Sequence, residues 1–289
     1  MEIKTVGVIG AGIMGRGIAQ VSAMSGYDVI LYDVFENALE NAVKIIEKDL
    51  AKGVERGKVK AEVKDMALGK IKTTTSLDDL APVELVIEAA PEDLSIKLPL
   101  FEKLDKLCKK EAILATNTTS QSITEIASVT DRPERVIGLH FFNPVHIMKL
   151  VEMINGLETT EEVFNICEDF CKSLGKETVK IKEAPGFVTS RMNAVIGNEA
   201  FNMLMEGVGN AEDIDKAIKL GLNHPMGPFE MIDLVGLDTR LKSLEYLQKM
   251  MGDKYRPCPL HVQYVKAGRF GRKTGKGVYE YDENGNKKK

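Results

Sequence analysis

The sequence lacks any long apolar run, and no stretch approaches the roughly 18 residues that a membrane-spanning helix requires. It also lacks a basic excess, because 39 lysine and arginine residues stand against 43 acidic ones and the formal net charge is −4. Without a positive field, binding to nucleic acid or to an anionic membrane is not expected. The one basic run, at residues 287–289, is predicted to be a solvated tail.

Cysteine is scarce, with four residues scattered along the chain. Cys167 and Cys171 are one helical turn apart without a His or Cys partner nearby, so neither a metal site nor a disulfide is predicted. Free buried thiols are typical of a reducing compartment. The opening MEIKTVGVIGAG predicts a strand and a glycine turn rather than an export signal. A cytoplasmic location is therefore expected.

Short β-rich runs alternate with amphipathic helical patterns over residues 1–182. Several runs are apolar without alternation, as strands buried on both faces are. The alternation predicts an α/β fold with a Rossmann-like, doubly wound parallel sheet. One pattern is interrupted by Pro99, and we predict that this helix begins near Leu98. The predicted strands are Thr5–Ile9, Asp28–Tyr32, Ile71–Thr74, Leu85–Ala89, Ala112–Thr116, Val136–His140, Met148–Ile154 and Thr178–Ile181.

The composition changes at the Pro185-Gly186 pair, after which no convincing strand appears until the very end. We predict an NAD-binding domain over residues 1–184 and an all-helical substrate and dimerisation domain over residues 185–289. The first helix of the second domain is apolar on more than one face, so it is expected to pack on the first domain and on a second copy of the chain, forming a homodimer. The predicted helices are Phe187–Glu206, Ala211–Leu220 and Pro228–Met251.

A glycine pattern follows the first predicted strand, in the segment VGVIGAGIMGRGIAQ. In a dinucleotide-binding turn the first glycine permits the tight turn, the second lets the pyrophosphate approach, and the third lets helix and strand pack closely. The N–H groups that begin the following helix attract phosphates. The turn is therefore predicted to bind a cofactor through Gly10, Gly12, Ile13, Met14 and Gly15.

Asp33 ends the second predicted strand, within ILYDV. A carboxylate there accepts hydrogen bonds from the adenosine ribose hydroxyls and repels a 2′-phosphate. No arginine follows it, since the next residues are Val34 and Phe35. The predicted cofactor is NAD rather than NADP.

Two polar residues occur in apolar surroundings further along the chain. His140 ends a predicted strand within GLHFFNPV, and Glu152 lies inside the next one, within MKLVEMI. A lone buried carboxylate would be unfavourable there, whereas a histidine–glutamate pair would be satisfied and would form a proton-transfer group. Taken singly, each residue also fits an ordinary loop histidine or a solvent-facing strand glutamate.

Four motifs occur in order: HFFNPV-x-x-MKLVE, NHPMGPFE, KYRPCPL and GRKTGKG. Together they resemble the short-chain L-3-hydroxyacyl-CoA dehydrogenases, above all the bacterial members that act on 3-hydroxybutyryl-CoA. The resemblance runs from residue 3 to about residue 281. It implies NAD-dependent oxidation of a short-chain (S)-3-hydroxyacyl-CoA and the reverse reduction of the 3-oxoacyl-CoA.

The resemblance also implies roles for individual residues. His140 would take the proton of the 3-hydroxyl group while hydride leaves C3, Glu152 would orient the imidazole, and Thr119 would contact the substrate oxygen. The resemblance implies that the helical segment after Asp33 contacts CoA, but the positively charged side chains of that segment are equally well explained as a solvated helix face. The implied cofactor contacts are Glu92, Lys97, Asn143 and Lys273, and the candidate CoA contacts are Lys52 and Arg56.

The chain departs from the family pattern at two positions. Thr119 replaces a serine, which keeps the hydroxyl group but adds a methyl group and stiffens the side chain. Ser190 replaces an asparagine of the PGF-x-x-NR motif, and Asn193, one helical turn on, is a candidate substitute as a substrate contact. Both changes concern the acyl-chain preference and leave the predicted base in place.

Two other functions stay open from the sequence. A dehydrogenase of a free hydroxy acid would use the same fold and the same base without requiring CoA. A non-catalytic NAD-binding structural protein would have no use for His140 and Glu152.

Overall fold

The computed structural model describes residues 1–288 and divides the chain into two compact units, Met1–Ala184 and Pro185–Lys289. The first unit contains an eight-stranded sheet. Its strands are β1 (Thr5–Ile9), β2 (Asp28–Tyr32), β3 (Ile71–Thr74), β4 (Leu85–Glu88), β5 (Ile113–Thr116), β6 (Val136–Phe141), β7 (Leu150–Asn155) and β8 (Glu177–Lys182).

The strand order in the sheet is β3-β2-β1-β4-β5-β6-β7-β8. Every neighbouring pair is parallel except β6 and β7, which are antiparallel. The predicted doubly wound parallel sheet is confirmed except at this pair, where a short loop joins the two strands and a parallel connection would need a crossover. All residues of β4, β5 and β6 are buried, as expected of central strands.

The helix expected to begin near Leu98 begins four residues earlier, at Leu94. The Asp93 side chain accepts a hydrogen bond from the Ser95 amide at 2.9 Å and so caps this helix. Pro99 lies inside the helix, where it donates no backbone hydrogen bond. The helices of the first unit are α1 (Ile13–Met24), α2 (Glu36–Glu55), α3 (Ala61–Gly69), α4 (Leu94–Leu107), α5 (Ile123–Ala127) and α6 (Glu161–Ser173).

The second unit is helical, and within residues 185–288 the only β-structure consists of isolated bridges. Its first helix begins at Thr189 rather than Phe187, because Phe187 has a φ of +48°. The predicted helix over 228–251 is two helices, separated by Gly236 with a φ of +109°. The helices are α7 (Thr189–Glu206), α8 (Ala211–Gly221), α9 (Pro228–Val235), α10 (Leu237–Met251) and α11 (Pro259–Lys266).

A buried carboxylate ties the last residues to these helices. Asp233 accepts hydrogen bonds from the Val278 and Tyr279 amides, at 2.8 and 2.9 Å, and burial raises the pKa of its carboxyl group. Lys287 is exposed, as the predicted solvated tail requires, and its ammonium group lies 3.0 Å from a Glu212 carboxylate oxygen. Lys289, which was part of the same prediction, lies outside the described residues.

The cysteines lie in the interior, and all four are free. Burial raises the pKa of the Cys108 thiol to about 11 and that of Cys167 to about 12. Among residues 1–288, no cluster of His, Cys, Asp and Glu side chains is arranged to hold a metal ion. None of the helices in the same range combines the length and the apolarity needed to cross a membrane.

Candidate active site

Most of the predicted site residues of the first unit gather at one edge of the sheet, the exceptions being Lys52 and Arg56 at the end of α2. The carboxyl ends of β1, β4, β5 and β6 lie at this edge, together with the amino end of the reversed strand β7. Strand order changes direction between β1 and β4, and ligands of open α/β sheets bind at the carboxyl ends of the strands beside such a point. The fold thus places a binding crevice next to Gly10.

The glycine turn has the geometry that a dinucleotide requires. Gly10 has a φ of +97°, and a Cβ atom at Gly15 would lie 1.7 Å from the Gly10 carbonyl oxygen. A Cβ atom at Gly12 would meet nothing within 4 Å, so the space beside this residue is open for a pyrophosphate. The first helical hydrogen bond of α1 runs from the Arg16 amide to the Gly12 carbonyl at 3.0 Å. The amides of residues 13–15 therefore lie at the open amino end of α1, where they can bind phosphate oxygens. The turn therefore fits NAD.

Asp33 connects the end of β2 to this turn. Its Oδ2 accepts a hydrogen bond from the Ala11 amide at 2.7 Å, and its Oδ1 accepts one from the Phe35 amide at 3.0 Å. Each carboxylate oxygen has a further lone pair, so the ribose hydroxyls can be bound as well. Val34 and Phe35 are exposed beside it and provide no positive charge for a 2′-phosphate.

The structure brings His140 and Glu152 into contact. They are directly opposite one another in the antiparallel register of β6 and β7, and His140 Nδ1 lies 2.7 Å from Glu152 Oε2. His140 is 5% exposed and Glu152 is fully buried. Residues directly opposite in an antiparallel pair project to the same face of the sheet, so the backbone register itself produces the contact. The second imidazole nitrogen, Nε2, is not the atom used in this contact.

The loop between the two strands contains Asn143, the predicted nicotinamide contact, and His146. The Asn143–Pro144 peptide bond is cis, and both Asn143 and His146 are exposed. Asn117, which follows β5, accepts a hydrogen bond from the Phe141 amide through its side-chain oxygen at 2.8 Å. This bond joins the end of β5 to the end of β6, next to His140.

A buried ion pair lies behind this edge, and only one of its two residues, Lys97, was among the predicted site residues. Lys97 Nζ lies 2.6 Å from Glu88 Oε1, and neither side chain has any exposure to solvent. The other Glu88 oxygen accepts a hydrogen bond from the Thr116 hydroxyl at 2.6 Å. Glu88 could have been recognised as a carboxylate that ends the apolar run LVIE, as Asp33 ends ILYD. In this structure the Lys97 ammonium group is engaged by Glu88. The cofactor contact predicted for Lys97 stays a prediction.

Glu92 holds the polar segment after β5. Its Oε1 accepts hydrogen bonds from the Thr118 hydroxyl at 2.6 Å, from the Thr119 hydroxyl and amide at 2.9 Å, and from the Ser120 amide at 3.2 Å. Its Oε2 lies 3.8 Å from Lys97 Nζ. The predicted substrate contact of Thr119 and the predicted cofactor contact of Glu92 therefore involve side chains that already touch one another.

Two predicted residues of the first unit lie away from this cluster. Lys52 and Arg56 are exposed at the end of α2. Three others belong to the second unit: Ser190 is the second residue of α7, Asn193 lines a small cavity with Arg240 and His261, and the Lys273 ammonium group lies 2.6 Å from an Asp238 oxygen. Their substrate and cofactor contacts stay predictions.

Comparison with known proteins identifies the family. Residues 5–184 match the NAD binding domain of 3-hydroxyacyl-CoA dehydrogenase, and residues 186–281 match the C-terminal domain of the same enzyme. The chain belongs to the 3-hydroxyacyl-CoA dehydrogenase family. It is accordingly an NAD-binding oxidoreductase, as the glycine turn and Asp33 predicted.

Relatives match this 3-hydroxyacyl-CoA dehydrogenase over nearly its whole length. The 3-hydroxybutyryl-CoA dehydrogenase of Bradyrhizobium diazoefficiens is 48% identical over 96% of both chains. A probable 3-hydroxybutyryl-CoA dehydrogenase of Bacillus subtilis is 47% identical over 98% of this chain and 99% of the relative. The crystal structure of (S)-3-hydroxybutyryl-CoA dehydrogenase from Ralstonia eutropha is 43% identical, covers 98% of this chain and 100% of its own, and has a TM-score of 0.95.

Cofactor selectivity tests the role of Asp33. We expect NADH to bind at least about tenfold more tightly than NADPH, or about 1.4 kcal/mol, because the carboxylate repels a 2′-phosphate. Asp33→Asn should narrow this ratio, and titration calorimetry measures both affinities. The matched control is Asp28→Asn at the opposite end of β2, where the carboxylate pairs with Lys70 at 2.8 Å, and it should leave the ratio unchanged. Equal affinities for the two cofactors in the unaltered protein would contradict the assignment.

Proposed function

We propose that this dehydrogenase interconverts short-chain (S)-3-hydroxyacyl-CoA and 3-oxoacyl-CoA, with 3-hydroxybutyryl-CoA and acetoacetyl-CoA as its substrate pair. The observation that carries the proposal is the buried His140–Glu152 pair at the edge of the sheet that holds the dinucleotide turn. The substrate class is supported by relatives at 47 to 48% identity that are named 3-hydroxybutyryl-CoA dehydrogenases.

Oxidation of the alcohol removes a hydride from C3 and a proton from the 3-hydroxyl group, which leaves a carbonyl group. Bound NAD supplies the hydride acceptor. His140 takes the proton on Nε2, because Nδ1 is directed to Glu152. The Glu152 carboxylate holds the ring in this tautomer and stabilises the imidazolium that forms. In the reductive direction the imidazolium returns the proton to the carbonyl oxygen.

Thr119 is proposed as the second group on the substrate oxygen. Its hydroxyl group donates to Glu92 in this structure, but the Glu92 Oε1 also accepts from the Thr118 hydroxyl and from the Thr119 and Ser120 amides. The Thr119 hydroxyl can therefore rotate toward a substrate without leaving that carboxylate unsatisfied. The added methyl group narrows the space beside it, which favours a short acyl chain.

The remaining predicted contacts complete the proposal. CoA lies along the exposed end of α2, where Lys52 and Arg56 face its phosphates. The nicotinamide half of NAD is contacted from the first unit by Asn143, Glu92 and Lys97. Lys273 is proposed as a further cofactor contact, and Ser190 and Asn193 are proposed as substrate contacts. We place the enzyme in the cytoplasm, a reducing compartment in which four free cysteines persist.

The direct test is oxidation of NADH, followed at 340 nm, with acetoacetyl-CoA beside free acetoacetate. We expect turnover with the CoA ester and far slower turnover with the free acid, because the acid lacks the CoA contacts. Equal turnover of both would favour a dehydrogenase of free hydroxy acids. No turnover of either would overturn the proposal.

The base is tested with His140→Ala and Glu152→Gln. The first should lower kcat by about 10² to 10⁴-fold, the usual contribution of a general acid–base group, while NADH affinity changes little because the glycine turn is untouched. The second should also lower kcat, through loss of the charge that stabilises the imidazolium. His146→Ala is the matched control, since His146 is exposed in the adjoining loop and should matter far less. His140→Ala with more than about a tenth of the original kcat would disprove the assignment.

We further propose that the enzyme is a homodimer formed mainly through the second unit. Met192 is 56% exposed and Val195 is 36% exposed, and both lie on one side of α7. The opposite side, with Ala194 and Phe201, is buried within the chain. An exposed apolar helix face of this kind is covered most simply by the same face of a second copy.

The dimer is tested by light scattering at micromolar concentration. We expect twice the chain mass for the unaltered protein and a shift toward the chain mass for Met192→Glu, which places a charge on the apolar face. Gln263→Glu adds the same charge at an exposed position of α11 and should leave the mass unchanged. A single-chain mass for the unaltered protein would contradict the dimer.

A further inference from the structure

Lys176 is a buried cation outside the groups considered so far. It is only 7% exposed, and its Nζ donates hydrogen bonds to the carbonyl oxygens of Val145 and of Met148, the latter at 2.8 Å. In the described part of the chain, no carboxylate oxygen lies within ion-pair distance of this ammonium group. Burial lowers its pKa, so the charged form depends on these two carbonyl groups.

Both carbonyl groups belong to the loop that joins β6 to β7. His140 is the last residue but one of β6, which precedes this loop, and Glu152 is the third residue of β7, which follows it. Within the loop, the Ile147 and Met148 amides donate to the Pro144 carbonyl at 3.0 and 2.9 Å. The loop is therefore a compact turn, and its inward-facing carbonyl groups would be unsatisfied without Lys176.

A second contact holds the same loop from the side of the glycine turn. Val145 is 2% exposed and packs against Gly17 of α1, where a Cβ atom would lie 2.8 Å from the Val145 Cγ2 atom. Lys176 lies outside this loop, between α6 and β8. Its backbone amide donates a hydrogen bond to the Cys171 carbonyl at 3.1 Å, in the turn that ends α6. The next residue, Glu177, donates its amide to the Lys149 carbonyl at 2.8 Å. The loop is thus anchored at its middle, through Val145, and at its end, through Met148 and Lys149.

We propose that Lys176 is a positioning residue that fixes the loop of residues 142–149, and through it Asn143, relative to the His140–Glu152 pair, in the geometry needed for hydride and proton transfer. The proposal rests on the proposed function. Lys176 itself touches neither reacting group; it acts through the backbone of the loop. A misplacement of about 1 Å at a reacting centre can lower the rate about 10²-fold, so a distant anchor has a measurable effect.

The test compares Lys176→Met, Lys176→Arg and the control Lys172→Met, an exposed α6 lysine that pairs with Glu168 at 2.8 Å. Two readouts are used: kcat per NADH-binding site with acetoacetyl-CoA, and hydrogen exchange of the peptide that covers the loop. Lys176→Met should lower kcat per site by about 10 to 10²-fold, keep full NADH stoichiometry, change KM far less, and speed exchange in the loop. Lys176→Arg keeps the charge and should recover part of both losses.

A purely structural role would reduce the number of NADH-binding sites and leave kcat per site unchanged, and that result would overturn the proposal. Unchanged exchange in the loop of Lys176→Met would overturn it too, and this readout needs no turnover. If the unaltered enzyme does not reduce acetoacetyl-CoA, the proposed function fails, whereas the exchange measurement still decides whether Lys176 holds the loop.

Discussion

The contact between the Glu152 carboxylate and the His140 imidazole is the interaction on which the site depends. Glu152 is fully buried, and a buried carboxylate without a partner is strongly unfavourable. The partner is provided by the register of β6 and β7, the one antiparallel pair of the sheet. The geometry of the proposed acid–base group is therefore set by the hydrogen bonds of a central sheet strand and not by a mobile loop, which suits a function that requires pre-organised groups.

The neighbouring polar contacts hold the backbone around this pair. Asn117 fixes the Phe141 amide, and the Glu88–Lys97 ion pair fixes the end of β4 against α4 and, through Thr116, the end of β5. Lys176 holds the loop that follows β6. Each of these groups is buried and satisfied, a condition under which buried polar networks rigidify a structure. The same edge also carries the glycine turn, so the cofactor-binding turn and the proposed base share one rigid frame.

The sequence predicted all eight strands to within two residues, because buried parallel strands are short apolar runs separated by clear helical patterns. It did not reveal the reversal of β7, since an antiparallel strand buried on both faces has the same apolar pattern. Pro99 was expected near the start of a helix, but tertiary packing and the Asp93 cap keep it inside α4. Gly236 was expected inside a helix, but its φ of +109° separates two helices. His140 and Glu152 were found because each is polar within an apolar run. Glu88 was missed although it ends the apolar run LVIE, and Lys176 was missed because its partners are backbone carbonyl groups 31 and 28 residues away, which leave no pattern in the sequence.

The measurement that tests the central claim most directly is the tautomeric state of His140, read from the ¹⁵N chemical shifts of its ring in the unaltered enzyme and in Glu152→Gln. The structure predicts that the neutral ring carries its proton on Nδ1, protected from exchange, because Nδ1 faces the buried Glu152 carboxylate. That preference should weaken in Glu152→Gln. A neutral ring protonated on Nε2 in the unaltered enzyme would leave no acceptor for the substrate proton and would contradict the account.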